Sequence, residues 1–187
     1  MANIVRKGFW PAERQTGKEV LFPVDSGNAA AIYRGDLVSM VAAGAVNASA
    51  ANDGSIVVGS VLELFDSNKV PVGHWASSVS TKYLPSSTAG YALVALALPG
   101  RIFIAETGTI LTTAAIGAST NHVVGTGSTT TGESGSTLNG GDLNTGAQVV
   151  YIGQVDDPLN DITLANAHWY VTFNEGFFMG TGKSAGV

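Results

Sequence analysis

The sequence predicts an all-β protein, a jelly roll or a related β-sandwich or barrel with an extended N-terminal arm, and three observations predict it. Apolar residues fall in short runs of about five, many alternating with polar ones, as half-buried strands require. Turn formers separate the runs: Gly35-Asp36, Asn52-Asp53-Gly54 and Pro99-Gly100. Such closely spaced turns suit a sandwich or barrel. The best helical stretch, LTTAAIGAST from Leu111, is too rich in Thr and Gly for more than a short turn.

The run Tyr91 to Glu106, YALVALALPGRIFIAE, reads as the centre of the domain. Pro presets φ at the first central position of a tight turn and Gly accepts positive φ at the second. Leu93 to Leu98 is apolar throughout, as in a strand covered on both faces, and Arg101 to Glu106 keeps a dry middle between charged ends. The expectation is a central hairpin.

Before it, residues 1–24 hold Arg6, Lys7, Arg14 and Lys18, four of the nine basic residues, with Phe9, Trp10 and Phe22. No strand or helix period holds across them, so they read as an arm. Its aromatics are anchors, docked on a neighbour or on the parent domain, since burying an aromatic body contributes about 2 kcal/mol or more. From Ala30 the short strands begin, AIYRGDLVSMV and then AVNASAANDGSIVVGSVLELF. Pro71 and Pro85 demote the following stretch to edge or loop.

After the centre, residues 123–146 are dominated by Gly, Ser and Thr and read as a long surface loop. Ala147 to Val155 returns to a strand, and AHWYVTFN (167–174) alternates clearly. Val57-Val-Gly-Ser-Val61 echoes Tyr151-Ile-Gly-Gln-Val155, and Gly within a strand marks a bulge or bend. The expected organisation is an arm over 1–24, a β-sandwich domain over 25–178 and a tail over 179–187.

Composition bounds the function. Charged residues make up 12% of the 187, against about 25% in an ordinary globular protein. A free monomer coats itself with charge, so a chain this poor in it is expected to hide much of its exterior against other proteins. The net charge of −5 argues against nucleic-acid binding. The absence of Cys rules out disulfides, thiolate metal sites and a Cys nucleophile. No apolar run has the length of a membrane helix and the N-terminal residues lack the apolar core of a signal peptide, so no membrane partner is expected.

Short motifs add little. Gly132-Glu-Ser-Gly135 is similar to a protease nucleophile turn, but His74, His122 and His168 lack the sequence setting of a triad and are too scattered for a metal site. Gly125-Thr-Gly127 opens no helix and no Lys follows, so it is no phosphate loop. Asp156, Asp157 and Asp161 match no calcium loop and fit ordinary turns. No catalytic residue and no cofactor is expected.

The order YALVALALPGRIFIAE, HVVGTGSTTTGESGSTL, VVYIGQVDDPLND, ANAHWYVTFNEGFF resembles a family of tailed-bacteriophage accessory head proteins that decorate or cement the capsid. The match covers about residues 75–178, and more loosely Tyr33-Arg-Gly-Asp36 and Val58-Gly-Ser-Val61. The resemblance implies an all-β fold, no catalysis, and a non-enzymatic virion protein made in the host bacterial cytoplasm and bound to the capsid exterior. Its partners would be the phage major capsid protein and sister copies in a dimer or trimer. The expected interface is Arg6, Lys7, Phe9, Trp10, Arg14 and Phe22. Alternatives are a virion carbohydrate- or receptor-binding sandwich with Trp75 and Trp169 as sugar platforms, a carboxylate hydrolase, and the major shell subunit itself.

Overall fold

A computed structural model of the protein describes residues 3, 5–13, 18–41, 44–50, 56–143, 147–174 and 176. They are all-β, in two sheets. The expected hairpin turn at Asn52-Asp53-Gly54 and the tail over 179–187 lie outside the described residues.

The first sheet is a closed barrel of β2 (Glu19–Val24), β4 (Val46–Ala48), β3 (Leu37–Met40), β5 (Val57–Phe65) and β6 (Gly90–Leu96). Its interior is aliphatic: Val38, Val46, Val58, Val61, Leu64, Ala92 and Val94 are fully covered. Closure leaves no strand edge, so every stave can use its main-chain groups within the barrel. Gly59 is required where β5 meets β6, because a Cβ there would stand 2.0 Å from the Ala95 carbonyl oxygen.

The second sheet runs β8 (Ser119–Thr120), β11 (Val149–Gln154), β12 (Ala167–Phe173), β7 (Phe103–Thr107), β10 (Thr137–Leu138) and β9 (His122–Val123), with β1 (Phe9–Pro11) also pairing with β7. β8 and β9 are the two ends of this path, yet only Asn121 separates them in the chain. The sheet therefore curls back on itself through one residue. Its core is aromatic, with Trp169, Tyr151, Phe103, Phe173 and Phe9, and it is joined by Leu37, Val57, Ala95 and Ala97 from the barrel strands and their exits. The two sheets thus share one apolar junction.

Three expectations change here. The run 91–106 is not a hairpin. Pro99-Gly100 does turn, with Gly100 at φ 74° and the Arg101 N–H donating to the Leu98 carbonyl at 3.0 Å, but β6 stays in the barrel and β7 enters the other sheet. Each run found more extensive partners elsewhere: β6 pairs along six residues of β2, and β7 along five of β12. The described residues of 1–24 are likewise built into the two sheets: Glu19–Val24 is a barrel stave and Phe9–Pro11 a strand on β7. Residues 123–146 are more than a surface loop: Ser134 and Ser136 are buried, and Gly125 and Gly135 pack so closely that a Cβ on Gly125 would stand 2.0 Å from the Gly135 carbonyl oxygen.

The echo does mark a shared device. The β3–β5 register skips Val58 just before Gly59, and the β11–β12 register skips Ile152 just before Gly153. A bulge turns its extra residue out of the regular alternation. In β11 that exposes Ile152.

Candidate interaction surfaces

The N-terminal residues are sewn to the second sheet. The Asn3 side-chain amide donates to the carbonyls of Asp161 and Ala165 at 2.9 and 3.0 Å, and its oxygen accepts from the Asp161 N–H at 2.6 Å. The Arg6 N–H donates to Glu106 Oε2 at 2.9 Å. Burial raises the Glu106 carboxyl above its ordinary range, partly offset by that bond and by the nearby Lys7 charge.

This settles the arm residues one by one. Phe9 is 0% exposed, edge-on to His122 and Phe173-flanked, so it anchors its own core and is not available to a partner. Phe22 sits half-buried opposite Ala92 in the barrel wall. Arg14 lies outside the described residues. Arg6 and Lys7 are exposed and Trp10 is half-exposed, with the Arg6 guanidinium 4.6 Å from the Trp10 ring centre. The Trp10 indole N–H donates to the Lys7 carbonyl at 2.9 Å, which fixes the ring.

Trp10 begins an apolar row that crosses the second sheet. It stands opposite Ile104 on β7, Ile104 stands opposite Tyr170 on β12, and Tyr170 pairs with Gly153 beside the bulged Ile152 on β11. Along β12 the alternation is strict, with Ala167, Trp169, Val171 and Phe173 inside and His168, Tyr170 and Thr172 outside. Ile152 and Ile102, 41% and 39% exposed, face a cleft of about 320 Å³ with Tyr170, Ala12 and Glu13. Arg101 lies at this cleft, almost wholly buried, its Nη1 donating to the Lys18 carbonyl at 2.7 Å while Nε and Nη2 find no partner. Loss of hydration lowers its pKa, with the Glu19 carboxylate acting the other way.

Tyr33-Arg34-Gly35-Asp36 is the hub that places Trp10. The Phe9 N–H donates to the Gly35 carbonyl at 2.9 Å and the Gly35 N–H to the Val61 carbonyl at 2.7 Å, so one turn ties β1 to the barrel. Gly35 is at φ 88° and a Cβ on it would press on the Trp10 ring at 3.0 Å. Asp36, buried, accepts from the Tyr33 N–H at 2.8 Å and from the Ser134 and Ser136 hydroxyls. Burial pushes its carboxyl up to about 6 in spite of those bonds. Ser134 is therefore a latch on the 124–136 segment, and no histidine is among its hydrogen-bond partners.

Asp66 organises a different surface. It accepts from the N–H groups of Asn68, Val70 and Ser78 at 2.9, 2.9 and 2.7 Å and from the Ser77 and Ser78 hydroxyls. These donors hold its carboxyl well below the usual range. The loop so fixed presents Trp75, 91% exposed, with the His74 ring tilted against it, ring centres 5.4 Å apart. Trp169, expected beside it as a platform, is 0% exposed because its strand turns it inward.

Among the described residues no three His, Asp or Glu side chains are grouped to hold a metal ion, and no helix is long and apolar enough to cross a membrane. The carboxylates of the 156–161 segment serve turns: Asp157 accepts from the Leu159 N–H at 2.8 Å and Asp161 from the Thr163 N–H at 2.9 Å. Compared with family models, with curated proteins and with solved structures, the chain matches none.

Proposed function

We propose that the protein is a non-enzymatic decoration protein of a tailed-phage head, bound to the outer surface of the major capsid subunits through the outer face of its second sheet. The observation that supports this best is the partly exposed apolar row Trp10, Ile104, Tyr170, Ile152 on a chain with few charges anywhere. Aromatic and aliphatic anchors set close together are what concentrates binding energy in an interface. They sit on hydrogen-bonded strands, so little order is lost on docking.

The row has a sign as well as a shape. The chain carries −5 overall, yet Arg6 and Lys7 stand at its Trp10 end. The complementary shell surface is apolar at its centre with carboxylates at one margin. Many copies engaged around symmetry axes restrain a shell without any single tight contact.

The test uses heads of the encoding phage prepared without the protein. Wild-type chain should co-sediment with them and raise their temperature of disruption. Replacing Trp10 and Tyr170 together by Ala should weaken binding by about 100-fold, the loss of two anchors of about 1–2 kcal/mol each. Wild type that ignores the heads would overturn the function, and a double variant that still binds would overturn the face.

A further inference from the structure

The Trp75 surface is not part of the Trp10 row, and the capsid reading does not use it. An indole 91% exposed on a fixed loop leaves a flat apolar face open to a ligand. The loop is fixed: Asp66 gathers three N–H groups and two hydroxyls, and the Gly73 N–H donates to the Val79 carbonyl at 3.0 Å. His74 joins two elements. Its ring lies tilted against Trp75, and the residue also lines an open groove of about 420 Å³.

That groove is built for hydrogen bonding and leans positive. Arg34, Lys82 and His74 line it with Thr131 and a single carboxylate, Glu63. Arg34 is held in place by donating from Nη2 to the Thr131 carbonyl at 2.7 Å, while its Nε is covered and unpartnered. Lys82 is pinned through its backbone, on which Gly132 packs so tightly that a Cβ there would stand 2.1 Å from the Lys82 carbonyl oxygen. A flat, apolar ring beside a shallow groove of mixed donors and acceptors matches a sugar, whose C–H face stacks on an aromatic ring while its hydroxyls take hydrogen bonds. The two cationic side chains against one carboxylate select a sugar that carries acid groups.

We infer that the Trp75 ring and the adjoining Arg34–Lys82 groove form a binding site for an acidic polysaccharide, one sugar stacking on Trp75 and a neighbouring carboxylate entering the groove. Arg34 adjoins Gly35, which packs on Trp10, but Trp75 and Lys82 belong neither to that turn nor to the Trp10 row, so substitutions at these two residues separate the two activities.

The purified full-length chain is tested against immobilised polygalacturonate, alginate, dextran and mannan, with tryptophan fluorescence as a second readout in solution. Binding to an acidic polymer is expected, weakened about tenfold by Trp75→Ala, the size of one aromatic contact. Lys82→Glu should abolish acidic binding without changing the fold, which circular dichroism checks. Binding to none of the four polymers overturns the site, as does acidic binding that survives Trp75→Ala. Equal binding to dextran and polygalacturonate overturns the selection for acid. Loss of head binding on Trp75→Ala would make the ring a protein anchor and also overturn the proposal.

Discussion

The two sheets solve the same closure problem by different means. The barrel closes through main-chain hydrogen bonds alone and fills itself with Val, Leu and Ala. The second sheet brings its ends together across Asn121 and by side-chain bonds such as His122 to Gln148 at 2.8 Å, and is held by aromatic rings and by side-chain anchors such as Asn3, Glu106 and Asp36. Buried polar atoms without partners occur in both sheets, Trp169 Nε1 and Glu106 Oε1 in the second and Asn47 Oδ1 on β4 of the barrel. The closed barrel exposes aliphatic residues, Val20 and Leu21 on β2. The second sheet adds aromatic rings to its half-exposed outer row, which gives a partner flat apolar surface to pack on.

Trp169→Ala should break the contrast most. Its ring is wholly buried, edge-on to Tyr151 with centres 5.6 Å apart, so its removal should cost about 3–5 kcal/mol. In hydrogen exchange the second sheet should lose protection while β5 and β6 retain theirs. Equal loss in both sheets would show that the shared junction makes them one cooperative unit.

Asp36, at the join, gives a smaller and pH-dependent effect. Its folded carboxyl is raised to about 6 from an ordinary 3.8, so between those values the native state holds a proton that the unfolded chain has released. Its contribution is therefore full below about pH 4 and is lost as pH rises through 6, by about 3 kcal/mol at most. Asp36→Asn should remove that slope from stability measured by denaturant between pH 4 and 7. Asp66 acts oppositely: its lowered carboxyl supports the fold above the ordinary range and gives that support up as the pH falls below it.

The smallest effect is expected from Ser134→Ala. It removes one hydroxyl donor to Asp36 and the acceptor of the Ser136 N–H at 2.9 Å, which should cost about 1–2 kcal/mol. Exchange should quicken in residues 124–136 and leave the barrel unchanged.

Local signals in the sequence were reliable where the cause was local. The strict alternation of 167–173, the turn at Pro99-Gly100 and the weakness of the helix around Thr113–Ala115 all have local causes. The repeated Gly in VVGSV and YIGQV pointed to the register skips at Val58 and Ile152 because both are backbone events, and no such Gly marks the third, at Leu62. What failed was partner choice. Nothing in YALVALALPGRIFIAE says that its halves belong to different sheets, because pairing is decided by residues far along the chain. Residues 9–11 and 19–24 looked irregular because the first strand is three residues long and the second exposes Val20 and Leu21. The apolar row was invisible for the same reason: Trp10, Ile104, Tyr170 and Ile152 meet only once three pairings and a bulge are known. Asp66 gave no signal beyond an ordinary turn, since its donors come from as far as Ser78.

The central claim is that the outer face of the second sheet is the docking face. A cryo-microscopy map of heads decorated with the purified protein tests it directly. The account predicts the Trp10 and Tyr170 rings against the shell with Arg6 and Lys7 beside shell carboxylates. A map in which that row points to solvent, or in which no density is added to the head, contradicts it.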